Sequence, residues 1–99
     1  MIRHILLFSF RDDASAAARQ AMLDEFAAFP AHFKQMRDWQ LGANASERDQ
    51  SFSHAMTVRF DSKTELDSYL RSEKHERFVE TRFKPLIAKR AIATFEAGD

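Results

Sequence analysis

Apolar and polar positions alternate from the first residues of the chain. In "MIRHILLFSF", His4, Leu6, Phe8 and Phe10 fall on one side, with Ile5, Leu7 and Ser9 on the other. A period of two is that of a β-strand. Both sides carry apolar residues, as in a strand covered on both faces. The period then changes. In "RDDASAAARQAMLDEFAAF", Asp13 or Ser15 can cap a first turn, and the alanines favour helix. Met22, Phe26, Phe29 and Phe33 form one helical stripe. Pro30 predicts that the helix ends or kinks near Phe29.

The next segment, "MRDWQLGANA", reads as a strand holding Trp39 and Leu41, with Gly42 marking a bulge or a close backbone approach. A polar loop runs from Ser46 to Ser51. "FSHAMTVRF" is the clearest strand, with His54, Met56, Val58 and Phe60 on one face and Ser53, Ala55, Thr57 and Arg59 on the other. Ser62 and Glu65 form a capping box that starts a helix at Lys63. Ser72 can cap a second helix from Glu73, on which His75, Val79, Phe83 and Leu86 share a side. "AKRAIATFE" reads as a last strand, with Ala91, Ala93 and Phe95 facing one way and Ile92 and Thr94 the other.

The order β-α-β-β-α-β predicts an α+β, ferredoxin-like arrangement in one domain over residues 1–99. The first and third strands are expected as central neighbours running parallel, with both helical crossovers on one sheet face. The other face would then show Ile5, Leu7, Ala55 and Ile92. A small domain does not leave such a patch wet, so a homodimer pressed sheet to sheet is expected.

Charge narrows the function classes. Fifteen basic and 15 acidic residues cancel, which argues against a nucleic-acid footprint and against a basic membrane-surface domain. There is no cysteine, hence no disulfide, thiolate metal site or thiol nucleophile. No apolar run approaches the ~20 residues that span a bilayer. No small-residue cleavage site follows the apolar start, so that segment reads as a strand of a cytoplasmic protein. Ten phenylalanines in 99 residues suggest a roomy aromatic interior or an apolar dimer face.

Four groups suit acid–base chemistry. His4 and His54 each open a central strand on the helix-covered face. With those strands parallel, they would meet at the same end of the sheet. Tyr69 and His75 come from the crossover over that face. Histidine titrates nearest neutrality, and a tyrosine hydroxyl can donate or accept a hydrogen bond beside it. Leu6, Phe8, Met22, Leu23, Phe26, Met56 and Leu86 would wall the space. An apolar cavity with a few convergent polar groups is the usual form of a small-molecule site. Each of these residues has an ordinary packing role as the alternative. No metal is expected, since no carboxylate shares the strand faces of His4 and His54. There is no phosphate-cradling glycine loop, nucleophile elbow or dinucleotide turn, and no cofactor is expected.

"MIRHILLFSFRDD", "GAN", "FSHAMTVRF" and "YLRSEKHERFV…KPL", taken together and in order, resemble the stress-responsive dimeric α/β-barrel (Dabb) domain family over essentially the whole chain. The resemblance implies a four-stranded antiparallel sheet with helices on one face, two such sheets closing a barrel across a homodimer. Members of that family include plant stress-related proteins and a cofactor-free polyketide cyclase. By that resemblance His4 and His54 match strand histidines of a cyclase, Tyr69 its pocket tyrosine and His75 its general base. Met22, Leu23 and Phe26 stand where the cyclase has aromatics, and Leu86 where it has a tryptophan. The family's His-Pro-x-His or Ser-Pro-x-His run stands here as Ser72-Glu73-Lys74-His75.

The leading expectation is a cofactor-free enzyme. In it His75 takes a proton next to a carbonyl in an aromatic or polyketide-like substrate, Tyr69 bonds His75 or the substrate oxygen, and His4 and His54 donate to the enolate. The alternative class is a non-catalytic, stress-associated or ligand-binding dimer whose interior is filled by its own side chains. A cofactor-independent monooxygenase is the third.

Overall fold

In the computed structural model, which describes residues 1–98, the chain runs β1 (Ile2–Phe10), α1 (Ala16–Ala27), α2 (Phe29–His32), β2 (Arg37–Ala43), β3 (His54–Phe60), α3 (Lys63–Arg71), α4 (Glu73–Phe78) and β4 (Ile87–Glu96). A π-helical turn, Val79–Phe83, extends α4. The caps are those expected from sequence. Ser15 Oγ accepts from Ala18 N at 3.1 Å, while Asp13 pairs with Arg11 instead. Ser62 Oγ accepts from Glu65 N, and Ser72 Oγ from His75 N. Glu65 returns its bond to Asp61 N rather than to Ser62. Pro30 sits in the first turn of α2, where its missing N–H costs nothing.

The sheet order is β2-β3-β1-β4, and every neighbouring pair is antiparallel. This is the ferredoxin-like sheet with helices on one face. The expectation that β1 and β3 run parallel is wrong. The β2–β3 connection is a reversal, so the strand it inserts between β2 and β1 opposes both. His4 therefore faces Val58, and His54 faces Phe8.

The helix-covered face of β1 is buried at every second residue, from Ile2 to Phe10. Met22, Phe26, Phe29 and Phe33 all join the same core, as the stripe predicted. All phenylalanines except Phe52 and Phe95 are in this core. Phe78 ties α4 to α1, stacking on Phe26 at 4.9 Å and meeting Phe29 edge-on at 4.9 Å. Such pairs add ~0.5–1.5 kcal/mol each beyond burial.

Two local readings change. Gly42 supports no close approach, since a Cβ there would meet nothing within 4 Å. The irregularity lies between Arg37 and Gln40, where Asp38 takes φ 52°, a left-handed conformation that Asp tolerates. Ile92 stands opposite Leu6 and Thr94 opposite His4, so both are on the helix side of β4. The bare face instead shows Ile5, Leu7, Ala55, Ala91, Ala93 and Phe95. Phe95 is 48% exposed.

Candidate active site

The hinge between α3 and α4 is held by one hydroxyl. Ser72 Oγ donates to Tyr69 O at 2.7 Å and accepts from His75 N at 3.2 Å. The chain turns sharply there, and the side chains of Tyr69 and His75 meet edge to face, with ring centroids 4.7 Å apart. Tyr69 is wedged between Phe60, stacked at 5.7 Å, and Phe33, edge-on at 4.9 Å.

Below the hinge lies a cavity of about 190 Å³. A space of ~150 Å³ suffices for benzene, so this one accommodates a small substituted ring. Its polar groups are His4, Tyr69, His75 and Arg90; its apolar walls are Leu6, Phe26, Met56, Leu70, Phe78, Val79, Phe83 and Ile92. The cavity opens at β4, where Arg90 is exposed and Ile92 is 51% exposed. The π-helical turn, closed by Lys84 N donating to Val79 O at 2.8 Å, carries Val79 and Phe83 into the wall. Such insertions into α-helices are frequent at functional sites. A wider groove between α1 and α4 is a solvated surface by comparison. It lacks histidine and tyrosine, and its Glu25 and Arg82 pair at 3.3 Å.

The hydrogen bonds constrain the tautomers. His75 Nδ1 lies 3.0 Å from Leu70 O. A carbonyl only accepts, so Nδ1 carries the hydrogen and Nε2 of the neutral ring holds the lone pair. His4 Nδ1 lies 2.9 Å from Thr94 Oγ1, a partner that can donate or accept. Among the described residues the Tyr69 hydroxyl has no hydrogen-bond partner; of the two expected partners, His75 or a substrate oxygen, His75 meets Tyr69 by a ring contact.

Burial lowers the pKa of His75 from its ordinary 6.5, opposed by the Leu70 carbonyl and by Glu76. Burial also lowers that of His4, helped by the charge of His75. Both shifts favour the neutral ring. Burial pushes the Tyr69 hydroxyl up, so it remains a donor.

The structure gathers His4, Tyr69, His75, Leu6, Phe26 and Met56 at the cavity. It does not bring His54 there. Because β3 opposes β1, His54 lies at the other end of the sheet, stacked on Phe8 at 5.4 Å and bonded to Ser53 Oγ at 2.8 Å. Its pKa is lowered by burial and by Arg19. Phe8 and Met22 are fully buried in the packed core, and Leu23 and Leu86 pack at its margin. Leu70, Phe78, Val79, Phe83, Arg90 and Ile92 line the cavity without having been expected there. The stripe His75, Val79, Phe83 was a usable signal for two of them. Among the described residues, no three His, Asp or Glu side chains gather as metal ligands would. No helix among them is long and apolar enough to cross a membrane.

Known proteins give the fold a context. The Stress Responsive A/B Barrel Domain (Dabb) family matches residues 2–97. No curated protein sequence matches. Among solved structures, an Arabidopsis thaliana protein superposes with a TM-score of 0.86 at 22% identity, covering 100% of this chain and 97% of its own. The hydroxynitrile lyase of Passiflora edulis gives 0.85 at 18% identity, over 95% of this chain and 90% of its own. A dimeric ferredoxin-like protein of Thermobifida fusca gives 0.83 at 20% identity, over 97% and 90%. At these identities the likeness is one of fold. Several such neighbours are dimeric.

Proposed function

This chain belongs to the stress-responsive A/B barrel domain (Dabb) family, and from that premise we propose that it is a cofactor-free acid–base enzyme acting on a small carbonyl compound. The observation that carries the reading is the His75–Leu70 bond, which leaves Nε2 as the proton acceptor beside a cavity shared with a tyrosine hydroxyl that has no partner among the described residues. His75 Nε2 takes a proton from the carbon next to the carbonyl. The electron pair left behind moves onto the carbonyl oxygen, and Tyr69 and His4 donate hydrogen bonds to it. For His4 this requires Thr94 to donate to Nδ1, so that Nε2–H is the donor. The enolate carbon then attacks a second carbonyl of the same molecule, closing a ring. The imidazolium returns the proton.

The Leu70 carbonyl and Glu76 favour the charged form of His75, easing the step in which it holds the proton. A positioned base contributes ~10²–10⁴-fold, and donors aimed at the oxyanion add to it. The hydroxynitrile lyase neighbour favours a related second reading. The same base, taking the hydroxyl proton of a hydroxynitrile, would release cyanide and a carbonyl. An interior filled by its own side chains would be closed, whereas Arg90 and Ile92 are exposed at the cavity; a ligand-binding dimer without turnover shares that open rim.

The protein acts as a homodimer in this reading, the bare apolar face of the sheet meeting its copy. The test is hydrogen–deuterium exchange, followed by proton NMR in D₂O, across small aryl ketones and β-dicarbonyl compounds. Wild-type protein should accelerate exchange next to the carbonyl of at least one, and His75→Ala should not. Full activity in His75→Ala, or no acceleration across compounds that bind the cavity, overturns the proposal.

A further inference from the structure

Among the described residues, Arg90 is the one cavity-lining side chain, the histidines aside, that carries a charge, and no acidic residue lines the space with it. It stands opposite Phe8 in the register of β4 and β1, so it projects on the helix side of the sheet. It also borders a shallow depression of about 240 Å³ next to the cavity, sharing Val79 and Phe83 with it and adding Lys84 and Lys89. The neighbouring cations are engaged. Lys84 Nζ pairs with Glu80 at 2.6 Å, and Lys89 Nζ lies 4.9 Å over the Phe52 ring. Among the described residues the Arg90 guanidinium has no ion pair, hydrogen bond or ring contact, while its backbone lies in the β1–β4 ladder. A guanidinium presents a planar fork of donors that matches carboxylate and phosphate oxygens two at a time. A neutral ligand would leave that fork unused, and a cationic one would be repelled.

We propose that the ligand of this cavity ends in an oxyanion, a carboxylate or a phosphate monoester, held by Arg90 at the rim while its apolar body lies among Leu6, Met56 and Val79. The assignment rests on the cavity being the ligand site, as in the function proposed above, and it deepens that reading by naming the substrate class. The ligand therefore enters with its apolar end toward Tyr69 and His75 and its charge toward solvent.

The test uses three matched probes: 4-phenylbutanoate, 4-phenylbutanamide and 3-phenylpropyl phosphate. Each is titrated into the full-length protein at low salt and followed by NMR shifts of the Ile92 methyls and the Tyr69 and His75 rings. The carboxylate or the phosphate should bind wild-type protein about tenfold or more tighter than the amide. The better of the two names the anionic group. In Arg90→Gln that preference should vanish while the amide binds as before, which also reports that the cavity is intact. Arg90→Met gives the same comparison if the glutamine variant is unstable.

Equal binding of anion and amide by wild-type protein overturns the assignment and leaves the cavity reading standing. So does a preference that survives Arg90→Gln, and Arg90 is then only an edge-strand charge. If no probe shifts the cavity resonances, the assignment and the cavity reading both fall.

Discussion

His75 Nδ1 sits 3.0 Å from the carbonyl oxygen of Leu70, five residues back across the hinge between α3 and α4. That contact orients the imidazole, sets its tautomer and stabilises its charged form. It also predicts a pH profile. Since burial lowers the pKa of His75 below 6.5, exchange activity should rise with pH through that lowered value and level off above it. The acidic limb should disappear in His75→Gln together with the activity, a loss of ~10²-fold or more. A limb that persists in the variant would assign the titration to another group.

Stability should follow pH in a stated direction. His4, His54 and His75 are all harder to protonate folded than in the unfolded chain, where they titrate near 6.5. Below that pH the unfolded chain binds the extra protons, so stability is full above about 6.5 and falls as pH drops through the folded-state values. Urea midpoints should therefore be lower at about pH 5 than at pH 7.5, above the range where ordinary carboxylates titrate. The double variant His4→Gln, His75→Gln should show a shallower dependence. Identical midpoints at the two pH values would contradict the assignment.

Tyr69 separates packing from chemistry. Its ring is held by Phe60, Phe33, Phe29 and His75, but its hydroxyl has no hydrogen-bond partner among the described residues. Tyr69→Phe should change stability by no more than about 0.5 kcal/mol, because no bond within the protein is lost. It should reduce exchange activity by ~10-fold or more. Tyr69→Ala, which empties the wedge, should cost about 3–5 kcal/mol. Thermal unfolding beside kinetics distinguishes these effects. A Phe variant with full activity would remove the hydroxyl from the mechanism.

His54 gives the opposite test. It stacks on Phe8 away from the cavity, so His54→Gln should leave activity within about twofold while lowering stability by about 1 kcal/mol. A large loss of turnover with an unchanged melting temperature would return His54 to the site.

The bare face of the sheet, centred on Ile5 and Leu7, should carry the dimer. Leu7→Glu places a charge there without touching the cavity, and light scattering should then report a monomer. A dimer that survives the substitution would place the interface elsewhere.

Much of this fold is legible in the sequence. The period of two in β1, the stripe from Met22 to Phe33 and the caps at Ser15, Ser62 and Ser72 are local matters. Spacing and side-chain chemistry within a few residues decide them. The proximity of Tyr69 and His75 was legible for the same reason, since they flank one capped turn. By contrast, Gly42 suggested a bulge that occurs at Asp38, because a short polar side chain can also adopt the left-handed backbone.

What the tertiary structure alone decided was direction and facing. Antiparallel pairing of β1 and β3 separates His54 from His4, although alternation along each strand is the same whichever way the strand runs. In β4 both faces carry small or apolar residues, so the pattern could not say which one turns inward. Register with β1 placed Thr94 against His4, Ile92 over Leu6 and Arg90 at the rim. A strand's own sequence sets which residues share a face; only its hydrogen-bonded neighbour determines which face that is.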